Sequence, residues 1–157
     1  MKRVNECVTL ASGIKSEFSV NEMSKTFTLR SQNVFFCDVI AIDKCVFTGS
    51  SLRRCDYLFL AYSKLNKVDR FEESKAYFIE LKGDNVRSAC EQLYNAIDKT
   101  KNEILNFQIE AKVIGTKGFQ PDIRNNDYYR KVRKLIRKEI GFHKVHKGNS
   151  FNHVELI

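Results

Sequence analysis

The stretch Ala76-Tyr77-Phe78-Ile79-Glu80-Leu81-Lys82-Gly83 decides how this chain is read. It is a run of apolar, β-favouring residues interrupted by one carboxylate and one ammonium. Residues two apart on a strand point to the same face, so Glu80 and Lys82 share a side with Phe78, and Tyr77, Ile79 and Leu81 share the other. A charge in a buried strand costs several kcal/mol unless something pairs with it or uses it. Upstream, Asp56 opens a second apolar run, Asp56-Tyr57-Leu58-Phe59-Leu60-Ala61-Tyr62. If the two runs pair, two carboxylates and a lysine meet at one place. That composition suits a divalent cation with an ammonium beside it, and it points toward phosphodiester chemistry. The plainer alternative is a structural Glu–Lys pair at the solvated end of an edge strand.

Outward from these strands, the pattern alternates. Residues 25–30 (KTFTLR) alternate apolar and polar, and 34–42 are rich in Val, Ile and Phe; both read as strands. Residues 2–11 read as a short helix. Thr48-Gly49-Ser50-Ser51 is a turn signal, and 63–74 read as a charged loop. Gly83 ends the central strand, and Asp84 or Asn85 is placed to cap a helix. Val86, Ala89, Cys90, Leu93, Ile97, Ile104 and Leu105 carry that helix to about residue 105. Phe107, Ile109, Ala111 and Val113 alternate with polar residues as a further strand. A second helix is expected over about 126–140, and a short edge strand over 153–157. Strand, helix, strand, helix in this order predicts an α/β fold, a mixed β-sheet flanked by helices in a single domain spanning 1–157.

The chain has 157 residues, of which 43% are hydrophobic, close to the globular norm. No stretch approaches the ~20 apolar residues of a membrane span, and the N-terminus lacks the apolar core of a signal peptide. The expectation is a soluble cytoplasmic protein. Five cysteines, Cys7, Cys37, Cys45, Cys55 and Cys90, are scattered without a C-x-x-C pair. They read as small buried hydrophobes, not as a disulfide framework or a zinc site.

The formal net charge of +8 is concentrated near the C-terminus. Residues 124–147 hold nine Lys/Arg against Asp127 and Glu139. Arg130, Lys131, Arg133, Lys134, Arg137 and Lys138 decorate the polar face of the second helix and are expected to track a nucleic-acid backbone. The bland counterpart is a solvated helix face. His143, His146 and His153 lie among lysines and read as phosphate or solvent contacts.

Asp56, a spacer, Glu80-Leu81-Lys82 on a strand and a capped helix behind it resemble the PD-(D/E)xK phosphodiesterase superfamily, specifically its small bacterial or phage-type members. The resemblance covers roughly residues 39–114. It implies a restriction-endonuclease-like fold and a Mg²⁺-dependent nuclease acting on nucleic acid, with DNA the favoured substrate and Mn²⁺ a substitute ion. It implies that Asp56, Glu80 and the backbone carbonyl of Leu81 hold the metal, that Lys82 orients or activates the attacking water, and that Gln92 approaches the site. Glu17 is carried as an extra acidic ligand, against its plainer reading as a solvated surface acid. The chain departs from the pattern in two places: Cys55 stands where a proline commonly precedes the aspartate, and Ala96 stands where exonuclease-type members have tyrosine. So short a chain leaves little room for a sequence-reading domain, which favours a homodimer or a partner protein. The alternative is a catalytically inactive protein of the same fold that binds nucleic acid or a protein partner, as a phage or defence-system accessory.

Overall fold

Two long antiparallel strands, β1 (Thr9–Glu22) and β2 (Lys25–Ala41), open the architecture. The computed structural model describes residues 3–7, 9–22, 25–45, 53–62, 74–81, 85–116, 120–136, 139–144 and 151–157. A 3-10 turn, Val4–Glu6, stands where a short helix over 2–11 is expected, and β1 begins directly after it. The two strands expected over 25–30 and 34–42 form one element that bends. Lys15 lies opposite Phe35, but Glu17 lies opposite Arg30, so residues 31–34 of β2 bulge out of the ladder. Bulges of this kind bend a strand and sharpen its twist. Farther along β1, Gly13 adopts a φ of 138°, a conformation that L side chains rarely take.

The bend divides β2 between two neighbours. Its second half pairs antiparallel with β3 (Tyr57–Tyr62), which pairs antiparallel with β4 (Lys75–Leu81). Its first half, residues 25–30, pairs in parallel with β7 (Phe151–Leu156). A short helix α1 (Ile42–Cys45) follows β2. Helix α2 (Val86–Thr100) returns the chain so that β5 (Gln108–Gly115) runs parallel to β4. Helix α3 (Asp127–Ile136) leads to β6 (Gly141–Lys144), parallel to β5. The main path of the mixed seven-stranded sheet is β1-β2-β3-β4-β5-β6, with β7 on β2.

Both helices start on asparagine caps. Asn85 Oδ1 accepts the Ser88 N–H at 2.9 Å, and Asn126 Oδ1 accepts the Tyr129 N–H at 3.0 Å. The buried stripe of α2 (Val86, Ala89, Cys90, Leu93, Ala96, Ile97) packs with Tyr129, Val132 and Ile136 of α3 on one face of the sheet, against Ile40, Leu58, Leu60, Phe78 and Val113. Burying a Leu or Phe in full contributes roughly 1.5–3 kcal/mol, so this layer anchors β3 and β4. The opposite face carries Tyr57, Phe59, Tyr77, Ile79, Leu81 and Ile114. Here the expectation of flanking helices needs correction. This face is covered by the bent strand pair itself, through Phe18, Val20, Phe27 and Leu29, and Phe27 meets Phe59 edge-on at 5.1 Å. With apolar neighbours on both faces, β3 has no polar alternation, as its sequence indicates.

Cys7 and Cys45 form a disulfide, which corrects the expectation of five free thiols. It ties the N-terminal turn to α1. Cys37, Cys55 and Cys90 are free and buried, as small hydrophobes. No helix among the described residues is long and apolar enough to cross a membrane.

Candidate active site

The regular β3–β4 ladder ends with Tyr57 opposite Ile79. Just beyond it, the Asp56 N–H donates to Ile79 O at 3.1 Å, and Asp56 Oδ2 accepts the Leu81 N–H at 2.7 Å. Asp56 therefore straddles Glu80, holding β4 on either side of it. Glu80 is 1% exposed. By strand alternation it points to the helix side with Phe78. The carbonyl of Asp56 accepts from Ile42 N–H at 3.1 Å, which seats α1 against the same strand end.

The electrostatics show what gathers there. Burial pushes the Cys55 thiol far above its ordinary range, and Glu80, Asp56 and Asp43 push it further. The charges of three carboxylates thus act on one buried sulfur. Burial also raises Asp43, with Lys44 opposing and Glu22 adding to the rise. Tyr57 is pushed up to about 12 by burial, then by Glu22, Asp56 and Asp43. Among the described residues, Glu22, Asp43, Asp56 and Glu80 are the carboxylates whose charge acts on Cys55 or Tyr57. Burial lowers the Arg54 guanidinium, and Asp43 counteracts it.

Glu17 does not join this group. It sits on the exposed part of β1 and forms a 2.6 Å ion pair with Arg30. Glu22, at the end of β1, stands closer in effect, because its charge raises Tyr57. Gln92 is buried on α2. Its Nε2 donates to Arg54 O at 2.8 Å and its Oε1 accepts from Ser88 Oγ at 3.3 Å. It fastens α2 to the segment that enters Asp56, which makes it a positioning residue. Lys82 lies outside the described residues.

On α3, Arg130, Lys131, Arg133 and Lys134 all face solvent. Much of this charge has local partners. Arg133 pairs with Glu139 at 2.8 Å, and Arg130 donates to Arg124 O and Asn125 O. Lys131 lies over the rings of Tyr94 and Tyr128, at 5.3 and 5.2 Å. Arg137, Lys138 and His146 lie outside the described residues.

A second polar cluster occupies the opposite side of β5, where the sequence shows only a basic tail. Lys112 contacts Glu110 at 3.3 Å and Glu155 at 2.8 Å. His153 Nε2 lies 3.2 Å from Glu155 Oε2, and the His143 and His153 rings stack at 3.6 Å. Burial, then His153 and Lys112, lower His143 to about 4, so it is neutral at pH 7. The bond from His153 holds Glu155 down to about 2, aided by Lys112. The reading of His143 and His153 as phosphate or solvent contacts is corrected: they face each other and a carboxylate. Only the spacing of His153 and Glu155 on β7 is a local signal, because His143 and Lys112 come from strands that meet them only in the folded sheet.

A cleft of about 870 Å³ lies elsewhere, between the N-terminal turn, the β2–β3 surface and the end of α2. Arg3, Asp38, Tyr62 and Glu103 line it; Asp56 and Glu80 do not. Its Asp38 accepts from Ser12 Oγ at 2.5 Å and Tyr62 Oη at 3.2 Å. Comparison with family models, with curated proteins and with solved structures gave no match.

Proposed function

We propose that this protein is a Mg²⁺-dependent nuclease that hydrolyses nucleic-acid phosphodiester bonds, with DNA as the favoured substrate. One observation carries the reading: Asp56 is locked by its own amide and carboxylate across the buried Glu80 at the end of β3–β4. The antiparallel strands β2, β3 and β4, followed by α2 and the parallel strand β5, fit a restriction-endonuclease-like core.

The donor chemistry fits Mg²⁺. Carboxylate oxygens are the hard ligands this ion takes, and it keeps waters and accepts substrate phosphate as further ligands. The charges of Asp43, Asp56 and Glu80 all act on Cys55, and a bound cation would offset them. Within a strand the N–H and C=O of one residue face the same neighbour. The Leu81 carbonyl is therefore directed to the Asp56 side along with its N–H, which suits it as the third donor. When bound, the metal supplies a water of lowered pKa and a counter-charge for the leaving oxygen.

The chain's own residues do the rest. Asp56 and Glu80 fix the cation's place. Lys82, two residues beyond Glu80 in the sequence, orients the attacking water and offsets charge on the phosphorane-like transition state. Gln92 holds α2 against this strand end, and Asn85 caps the helix. Lys131 and Lys134 supply cations toward the phosphate backbone from α3.

The test is cleavage of linear, circular and single-stranded DNA in Mg²⁺ or Mn²⁺, with wild type beside Glu80→Ala and Lys82→Ala. Cleavage abolished in both variants and in EDTA supports the nuclease. Chelator-insensitive, salt-sensitive binding with no cleavage by wild type would instead support the inactive binding protein.

A further inference from the structure

The polar cluster on the far side of β5 has a composition that the nuclease reading does not use. Ligand atoms of His143, His153 and Glu155 all lie within 4.8 Å of one another. His143 Nε2 is buried and has no hydrogen-bond partner among the described residues. Buried polar atoms are nearly always satisfied, so this nitrogen, on a ring stacked on His153 and near Glu155, calls for a partner. The backbone makes room for one. Gly141 has no Cβ; one placed there would lie 2.9 Å from His143 Nε2 and 2.7 Å from Lys112 Cδ.

We infer that His143, His153 and Glu155 form a transition-metal site, selective for Zn²⁺ over Mg²⁺, that staples β6 to β7. Two imidazoles and one carboxylate are the donors that Zn²⁺ takes at sites with an open fourth position. His153 and Glu155 remain 18% and 20% exposed, which leaves that position to water. Lys112 bonds Glu155 Oε1 and leaves Oε2 toward His153, so it acts as an outer-shell support. The rings now stack at 29° between planes. Stacked rings send their lone pairs side by side, so sharing one ion draws the nitrogens together and splays the planes. The site has a structural consequence. The ladders pair β6 with β5 and β7 with β2. A shared ion would join these two strands at the place where the bent sheet closes on itself.

The test uses the full chain with Zn²⁺, Co²⁺ or Mg²⁺, read by calorimetric titration, melting temperature and the visible absorption of Co²⁺. One Zn²⁺ per chain should bind and raise the melting temperature, and Mg²⁺ should not compete. His153→Asn and Glu155→Gln should each weaken Zn²⁺ by no less than the roughly 10–100-fold that loss of an outer-shell partner costs. His153→Cys gives a readout independent of any loss of stability: a thiolate-to-Co²⁺ charge-transfer band absent from wild type. Glu80→Ala should leave Zn²⁺ binding unchanged, which separates this site from the nuclease site. Unaltered Zn²⁺ affinity in His153→Asn and Glu155→Gln, no charge-transfer band in His153→Cys, or no Zn²⁺ binding by wild type overturns the inference.

Discussion

Asp56 grips Leu81: its Oδ2 accepts the Leu81 N–H at 2.7 Å, one residue past the buried Glu80. The same carboxylate is therefore a structural clasp and a proposed metal ligand. These two roles separate by substitution. Asp56→Ala leaves the nearly buried Leu81 amide without its acceptor and should lower unfolding free energy by about 1–3 kcal/mol. Asp56→Asn keeps an acceptor and should retain most of that stability while losing cleavage. Denaturant unfolding beside a cleavage assay checks both; equal stability loss in the two variants would refute the clasp.

The basic helix contributes less charge to a polyanion than its sequence advertises, because Arg133 already holds Glu139 at 2.8 Å. Lys131→Glu with Lys134→Glu should weaken DNA binding across sequences alike. It should also flatten the slope of log affinity against log salt by about one for each phosphate that α3 no longer neutralises. Fluorescence anisotropy over a salt series measures this. An unchanged slope would take α3 out of the interface.

Acid should loosen the β6–β7 region. His143 titrates at about 4 in the folded protein against an ordinary 6.5. Below the ordinary value the unfolded chain binds a proton that the folded chain refuses, so stability falls as pH drops through that window. His153 and Glu155 from β7 and Lys112 from β5 face this ring. Glu155, held at about 2, adds a loss only at lower pH. Chemical denaturation from pH 7.5 to 4 should show the decline, and His143→Asn should flatten it.

The Cys7–Cys45 bond closes a separation of 38 residues. Loop-closure entropy assigns a crosslink of that span roughly 3–4 kcal/mol, an upper figure when the reduced chain keeps structure. Reductant and Cys7→Ser should lower the melting temperature alike, and reductant should add nothing to Cys7→Ser. A reductant-insensitive wild type would contradict the bond.

Legibility follows the range of the forces involved. Strands β3 and β4, helix α2 and strand β5 are readable because apolar periodicity, Gly83 and the Asn85 cap are local signals. The pairing of Asp56 with the Glu80 strand follows from two adjacent apolar runs. The first strand is illegible because TLASGIKSEFSVNE is half exposed and mostly polar, so its order comes from pairing with β2 and not from its own pattern. The bend at 31–34 gives no composition signal beyond two ordinary strands. Strand β6 is hidden in a basic tail; a short strand over 153–157 is legible, but not that β7 finds its partner at Lys25, near the other end of the chain. The His143–His153–Glu155 group depends on that same long-range closure, and cysteine spacing alone does not reveal the Cys7–Cys45 pairing.

The central claim is that Asp56 and Glu80 share one divalent ion. Anomalous diffraction from a crystal soaked in Mn²⁺ tests it most directly. The account predicts a peak about 2.0–2.3 Å from a carboxylate oxygen of each residue, as hard-cation coordination requires, and its loss in Glu80→Ala. A peak only at His143, His153 and Glu155, or none between Asp56 and Glu80, would contradict it.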